Sequence, residues 1–285
     1  MSTDIAVITG GGRGMGLATA KLLGRDHAIV LADLNEAALE AAVAELDGRG
    51  IRAVAARADV TDPGDVARLL ETASEIAAET GGRVRAVVHA AGVSPQTGDA
   101  AFIYRVNALG TVHVTRAFLR IAQEGDALVN VASIAGHWSP KFLLPTRTFR
   151  SALTNPARFA HTIVTASNAM PRKARPGAAY GTSKAFVIWY TEQMAAAFGA
   201  KGARIVSVSP GTFDTEMGRL EVASGSDRLL DYAALRRFGK PEEIAAVLAF
   251  AAGREPGYLT GVDILVDGGT NAGMKPSDFL AIARG

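Results

Sequence analysis

Short apolar runs alternate with longer amphipathic stretches along almost the whole chain of 285 residues. Several runs are apolar at nearly every position, as expected of strands that are covered on both faces. Because parallel strands need long crossover connections, the alternation predicts an α/β fold with a doubly wound parallel sheet and helices on both faces. The predicted strands cover 5–9, 28–32, 52–56, 86–89, 127–131, 204–208 and 262–266. The predicted helices cover 14–24, 35–47, 63–79, 101–123, 178–198 and 241–252.

The composition is that of an ordinary globular chain and excludes several classes of protein. Apolar residues make up 48% and charged residues 20%, which fits a single domain over 1–285. Cysteine is absent, so disulfides and thiolate metal sites are excluded; this suits the cytoplasm, and no pattern supports a metal. Neither a membrane helix nor a signal peptide is predicted. The net charge of +2 is too small to indicate nucleic acid.

The first strand runs directly into a glycine-rich turn, TGGGRGMG at 9–16, that opens a helix. Glycines let backbone approach a pyrophosphate closely, and the helix N-terminus directs N–H groups and a positive dipole end at it. The turn therefore predicts a dinucleotide site. The residues proposed for it here are Gly10, Gly12, Arg13, Gly14, Met15 and Gly16.

Acids follow the second and third predicted strands. Asp33 lies 19 residues after Gly14, where a carboxylate accepts hydrogen bonds from the adenosine ribose hydroxyls. It would repel the additional phosphate of NADP, so NAD is favoured over NADP, although Arg13 could pair with that phosphate. Asp59 and Val60 are candidates for the adenine amino group, or for an ordinary loop before Pro63.

Tyr180 and Lys184 begin the long helix that follows a proline-rich segment, in the pattern YGTSK. A spacing of four places both side chains on one helix face, one turn apart. A nearby ammonium lowers the pKa of a phenol from its ordinary ~10, so such a tyrosine can exchange a proton with a substrate oxygen near neutral pH.

Further motifs give a specific family resemblance. In order along the chain, the matching pieces are TGGGRGMG at 9–16, Asp33, Asp59-Val60, HAAG at 89–92, Asn107, Ser133, YGTSK at 180–184, Pro210-Gly211 with Thr215, RFGKPEEIA at 237–245 and ILVDGG at 264–269. Over essentially its whole length the sequence resembles the short-chain dehydrogenase/reductase family. The resemblance implies one Rossmann-like domain, a nicotinamide cofactor, an alcohol or ketone substrate, and a homodimer or homotetramer.

The resemblance also implies a role for each matched residue. Tyr180 is the general acid/base, Lys184 assists it and holds the nicotinamide ribose, and Ser133 binds the substrate oxygen. Asn107 places a water that links Lys184 to solvent. The remaining matches border the cofactor and are Ala91, Gly92, Pro210, Gly211 and Thr215.

The chain departs from the family pattern at two places. The family's NNAG is His89-Ala90-Ala91-Gly92 here, which removes two bracing amides; a core or strand-end role for His89 is favoured over a catalytic one. The second departure is the distance from Ser133 to Tyr180, which is 47 positions. An enlarged segment at about 138–177 must therefore bulge out of the fold, with a short helix at 155–168.

This inserted segment is strongly basic. No acid occurs between Asp126 and Glu192, and the cations of 140–176 are Lys141, Arg147, Arg150, Arg158, Arg172, Lys173 and Arg175. Three interpretations stay open. The segment is a basic lid that selects an anionic substrate such as an acyl-CoA, an element that alters oligomer packing beside a helix at which this family commonly associates, or a solvated excursion.

Alternative functions also stay open. An NADP-dependent carbonyl reductase and a catalytically silent nucleotide-binding sensor would both use this fold. The complete set of Asn107, Ser133, Tyr180 and Lys184 favours an enzyme, because a sensor would not need it. An enoyl reductase is disfavoured, since that branch of the family has a wider Tyr–Lys spacing. Hydroxysteroid-like and 3-hydroxyacyl substrates are both compatible with the motifs.

Overall fold

Seven parallel strands form one sheet in the computed structural model, which describes residues 3–222, 226–275 and 278. The order is β3-β2-β1-β4-β5-β6-β7, and every pairing is parallel. This confirms the doubly wound class. The strands are β1 (Ile5–Thr9), β2 (Ala28–Asp33), β3 (Ala53–Arg57), β4 (Val84–His89), β5 (Ala127–Val131), β6 (Arg204–Pro210) and β7 (Asp263–Val266).

The helices of the described residues cover both faces of the sheet. Local signals fix several starts: Asn35 Oδ1 accepts a hydrogen bond from the Ala38 N–H, and Asp62 caps the next helix with Pro63 at its first position. The helices are α1 (Gly14–Leu23), α2 (Glu36–Asp47), α3 (Pro63–Glu79), α4 (Ala100–Ile103), α5 (Gly110–Ile121), α6 (Thr146–Thr154), α7 (Pro156–Ser167), α8 (Arg175–Gly199), α9 (Glu216–Val222), α10 (Pro241–Ala252) and α11 (Thr270–Gly273). No helix within 3–222 or 226–275 combines the length and apolarity needed to span a bilayer.

The predicted helix at 101–123 is divided. A π-helical turn over Tyr104–Leu109 separates α4 from α5 and carries Asn107 at its centre. π-Turns are rare and often lie at functional sites. Apolar periodicity alone gives no sign of this division, because the residues on either side keep their helical spacing.

Two apolar layers enclose the sheet. On one face Val7, Val30 and Leu128 pack with Phe118 and Phe198. The opposite layer is formed by Ile8, Leu31, Val129, Leu39 and Leu248. With both faces covered, access to the strands is left at their carboxyl ends. Strand order reverses between β1 and β4, and crevices in doubly wound folds form at that position.

The inserted segment is a helical hairpin docked on α8. Phe149 of α6 and Phe159 of α7 are fully buried, and their rings lie 5.2 and 4.5 Å from the ring of Phe186. Arg116 of α5 donates to the Leu153 carbonyl at 2.7 Å and so caps the end of α6. The segment is therefore packed into a third apolar cluster, and α6, which was not predicted, accompanies the predicted α7.

Candidate active site

A cavity of about 1370 Å³ opens at the carboxyl ends of the strands. It is lined by sixteen of the eighteen residues proposed from the sequence, whereas Gly12 and Asn107 lie behind its wall. The sixteen are Gly10, Arg13, Gly14, Met15, Gly16, Asp33, Asp59, Val60, Ala91, Gly92, Ser133, Tyr180, Lys184, Pro210, Gly211 and Thr215. Pockets of roughly 300–1,000 Å³ hold drug-sized ligands, so this cavity has room for a dinucleotide and a second molecule.

The glycine-rich turn fits a phosphate group. Gly10 has a φ of +67° and packs so closely that a Cβ would lie 2.8 Å from the backbone of Ala90. A Cβ on Gly16 would lie 2.2 Å from the Gly10 carbonyl oxygen. No side chain caps the N-terminus of α1, and its first turn carries no acid. The first N–H groups of α1 therefore face the cavity ready for an anion.

Two acids line the end of the cavity that lies next to β2 and β3. Asp33 accepts hydrogen bonds from the N–H groups of Gly12 and Asn35, at 3.3 and 3.1 Å, which hold its carboxylate against the glycine-rich turn. Asp59 accepts from the Thr61 N–H at 2.8 Å. Both carboxylates stand at strand ends on the cavity wall, where an adenosine group would lie in a dinucleotide site.

Arg13 and Glu216 form an ion pair across the cavity mouth. Arg13 precedes α1 and Glu216 opens α9, and both side chains are more than half exposed and line the cavity. The two segments also lie close together at Gly14, where an added Cβ would be 3.8 Å from Thr215 Cγ2. The sequence analysis missed Glu216, because no local pattern shows which cation a helix-opening acid will meet.

Tyr180 and Lys184 share one face of α8, as predicted from their spacing. The Lys184 ammonium lies 5.9 Å from the centroid of the Tyr180 ring and donates to the Val131 carbonyl at 3.1 Å. Lys184 is only 6% exposed, so its charge is held in a region of low dielectric, where it acts strongly on its neighbours.

Ser133 reaches the same cavity wall from the end of β5. Its hydroxyl accepts from the Ala135 N–H at 3.2 Å, at the start of a 3₁₀ turn. A Cβ on Gly136 would lie 2.9 Å from the backbone carbon of Lys184, so the turn packs directly onto α8. This close approach brings the serine turn onto the helix that carries Tyr180.

Asn107 lies behind the cavity wall and connects three segments. Its side chain accepts from the Val93 N–H at 2.9 Å, donates to the Val93 carbonyl at 3.0 Å and donates to Ser183 Oγ at 3.2 Å. A Cβ on Gly92 would lie 3.2 Å from Asn107 Oδ1 and 3.4 Å from Lys184 Nζ. Asn107 and Lys184 therefore meet at Gly92, although Asn107 itself does not line the cavity.

His89 is a buried residue at the end of β4. Its Nδ1 shares a 2.7 Å hydrogen bond with Thr9 Oγ1, and Nε2 has no hydrogen-bond partner among the described residues. Burial, with smaller contributions from Lys184 and His113, lowers the pKa of His89 to about 3. A neutral imidazole behind the wall agrees with the strand-end role favoured from the sequence.

The part of the cavity beyond β4 is formed by residues that follow β4, β5 and β6 in the chain, and its walls are largely apolar. The apolar residues of these walls were not identified individually from the sequence. Trp138 lies next to the serine turn, and α9 contributes Met217 and Leu220, which are 38% and 49% exposed. Phe102 and Tyr232 complete these walls. Their contributions depend on how α4 and α9 dock, and no local motif reports that.

The inserted hairpin places its charges away from this cavity. Within the described residues, the segment from 138 to 177 contributes Trp138 and Gly177 to the wall, and none of its seven cations lies there. Lys141 pairs instead with Glu192 at 3.3 Å, and Arg175 donates to the Met170 carbonyl at 2.8 Å. The positions of the charges therefore do not support a basic lid over the cavity.

Comparisons with known proteins place the chain in a family. The model described as short chain dehydrogenase matches residues 4–145, and the one described as enoyl-(acyl carrier protein) reductase matches residues 142–271. The chain is 30% identical to 2-(S)-hydroxypropyl-CoM dehydrogenase 3 of Xanthobacter autotrophicus, over 95% of this chain and 98% of that protein. It is 31% identical to the cyclohexanol dehydrogenase of a Rhodococcus species, over 93% of this chain and 95% of that protein. The chain belongs to the short-chain dehydrogenase/reductase family.

Solved structures agree with this assignment. A short-chain dehydrogenase from Burkholderia cenocepacia in complex with NADP has a TM-score of 0.73 to this chain and 26% sequence identity. The match covers 93% of this chain and 97% of the other. The family binds nicotinamide cofactors, and its members named here are oxidoreductases.

Proposed function

We propose that the protein transfers a hydride between NAD(H) and the oxygen-bearing carbon of a secondary alcohol or ketone. The observation that carries this proposal is the convergence of Ser133, Tyr180 and Lys184 on one cavity with the glycine-rich turn. A bound nicotinamide dinucleotide supplies the hydride donor or acceptor. The protein supplies position and a proton.

Each of these residues has a distinct part in the proposed reaction. Tyr180 gives a proton to the substrate oxygen during reduction and takes one during oxidation. The buried Lys184 ammonium favours the phenolate form of Tyr180. Ser133 donates a hydrogen bond to the same substrate oxygen. Asn107 acts indirectly, because its hydrogen bonds fix the Val93 backbone and Ser183 around Gly92.

The adenosine end supports a preference for NAD over NADP. The Asp33 carboxylate stands on the wall beside Gly12, where it would accept from ribose hydroxyls and repel an additional phosphate. Arg13, the cation that could offset this repulsion, is already paired with Glu216. Although the Burkholderia cenocepacia relative was solved with NADP, this charge arrangement supports NADH as the tighter ligand here.

The walls beyond β4 support a substrate with an apolar body. Exposed apolar side chains gathered on one cavity wall mark a surface that a ligand covers. Met217 and Leu220 meet that description and face the same cavity as Trp138. Hydroxysteroid-like alcohols fit these walls better than acyl-CoA molecules, because the basic residues of the insert are elsewhere. A homodimer or homotetramer stays a prediction from the family resemblance.

Replacing Tyr180 by phenylalanine tests the proposal. We expect the Tyr180→Phe variant to lose roughly a hundredfold to ten-thousandfold in kcat, because it lacks the proton-transfer group, while a fluorescence titration still detects NADH binding. Tyr190→Phe makes the same chemical change on the same helix, outside the cavity, and should keep its turnover. Unchanged turnover in Tyr180→Phe, or simultaneous loss of NADH binding, would contradict the assigned role.

A second candidate is a nucleotide-binding sensor without catalytic activity. Screening a panel of alcohols and ketones with both cofactors separates the two candidates. Turnover of any member that depends on Tyr180 favours the enzyme. Dinucleotide binding without turnover across the panel favours the sensor.

A further inference from the structure

We infer that Glu216 contributes to cofactor choice, because it pairs with Arg13 and so makes that cation less available to the 2′-phosphate of NADP(H). The inference rests on the proposed dinucleotide site. It assigns a specificity role to a residue of α9, which lies more than 200 positions from the glycine-rich turn in the sequence.

Arg13 lies close to the carboxylate of Asp33. The N–H of the preceding residue, Gly12, donates to Asp33 Oδ2, so the backbone at Arg13 begins one peptide away from that carboxylate. A ribose bound by Asp33 would carry any 2′-phosphate within reach of this arginine. Guanidinium groups bind phosphates with paired hydrogen bonds, which makes Arg13 the natural partner on this side of the cavity.

Glu216 is the first residue of α9. Thr215 lies close to Gly14, where an added Cβ would be 3.8 Å from Thr215 Cγ2, and its hydroxyl accepts from the Gly218 N–H at 3.0 Å, which caps the first turn of α9. The start of α9 therefore lies beside the glycine-rich turn, and Glu216 pairs with Arg13 there. The resulting ion pair satisfies the guanidinium with a carboxylate of the same chain.

Two carboxylates and one guanidinium surround the position that a 2′-phosphate would take. An incoming 2′-phosphate meets the carboxylates of Asp33 and Glu216, and it gains Arg13 only if the existing ion pair breaks. NADH has no such phosphate and can bind with the pair intact. The pair is solvent-exposed, so its contribution is modest, about fivefold in the ratio of the two dissociation constants.

The test is Glu216→Gln, measured by fluorescence titration with NADH and NADPH at low salt. We expect the Kd of NADPH to fall about fivefold, while the Kd of NADH changes by less than about twofold. Asp214→Asn is the matched control, because it removes an exposed carboxylate two positions away that pairs with Arg219. This control should leave the ratio of the two Kd values as in the parent protein.

The same substitution in an Arg13→Ala background completes the test. The gain for NADPH should disappear there, because no guanidinium remains to be released. The inference is wrong if Glu216→Gln leaves NADPH binding unchanged, strengthens both cofactors equally, or acts fully without Arg13. An equal effect of Asp214→Asn would also overturn it, since a general acidic field would then suffice. Turnover enters none of these measurements, so a failure of the Tyr180 test would leave this result independent.

Discussion

The cluster of Ser133, Tyr180 and Lys184 and the inserted hairpin both pack around α8, but the sequence predicts their positions unequally well. Around Tyr180 and Lys184 the sequence motifs consist of polar residues, and Ser133, Tyr180 and Lys184 line one cavity. In the hairpin the most prominent feature of the sequence is its charge, but buried phenylalanines such as Phe149 and Phe159 determine its position. This difference indicates that the spacing of polar residues in a motif is informative about position, whereas the charge of a surface segment is not.

The largest expected effect concerns the aromatic anchor of the hairpin. Phe159 stacks on Phe186 with ring centroids 4.5 Å apart and planes within 22°. We expect Phe159→Ala to lower the free energy of unfolding by about 3–5 kcal/mol, as measured by denaturant titration. Phe142→Ala, in the same segment but 85% exposed, should stay within about 0.5 kcal/mol of the parent. A cost below about 1 kcal/mol for Phe159→Ala would mean that the hairpin docks loosely.

A smaller effect on the free energy of unfolding is expected at His89, which lies behind the cavity wall at the end of β4. Its pKa in the folded protein is about 3, against an ordinary 6.5, so between these pH values the unfolded chain holds a proton that the folded protein does not. Stability is therefore lost as pH falls below about 6.5, by up to about 2 kcal/mol at pH 5. Unfolding titrations at pH 7 and pH 5 should show a larger loss in the parent than in His89→Asn; the variant keeps the smaller contribution of His27, whose pKa burial also lowers.

The exposed His161→Asn variant is the control for that experiment and should retain the acid-dependent loss of the parent protein. If His89→Asn shows the same loss between pH 7 and pH 5, the imidazole titrates in the folded state and is not buried as described.

The smallest effect is expected for the charges of the hairpin. Replacing Arg147, Arg150 and Arg158 together by glutamine should change kcat/KM by less than about twofold, for a neutral ketone and for a carboxylate-bearing one. The reason is that these cations do not line the cavity. The comparison variant is Arg228→Gln, because Arg228 does line the cavity; its kcat/KM is measured for the same two ketones. A selective loss on the carboxylate-bearing ketone in the triple variant would restore the lid interpretation.

Much of the fold could be predicted because the five central strands of the sheet are buried on both faces and must be largely apolar. Seven strands were expected, and seven pair in the predicted parallel manner within the described residues. The π-helical turn at Asn107 could not be predicted, because its hydrogen bonds to Val93 and Ser183 depend on tertiary contacts. The same limit applies to α6, whose phenylalanine finds its partners on α8.

The residues of the candidate site also fall into two groups, those that sequence motifs predict and those that only tertiary packing places. Residues proposed from strand-end motifs line the cavity, because parallel strands bring their carboxyl ends to one edge of the sheet. The walls beyond β4 were not predicted by residue, because Phe102, Met217 and Leu220 are ordinary apolar residues until their helices dock. Glu216 belongs with them, since its partner Arg13 is remote in sequence.

The close packing of Gly136 against α8 limits which residues of this protein can be changed by design. A methyl group at Gly136 would collide with the backbone of α8. The serine turn and the helix that carries Tyr180 are therefore packed as one rigid unit. New substrate preferences are best sought at Met217 and Leu220, which line the same cavity and are partly exposed, so their replacement removes fewer buried contacts. A mutant library confined to Met217 and Leu220 should therefore change selectivity among the ketones of the proposed reaction, and it leaves Glu216 unaltered.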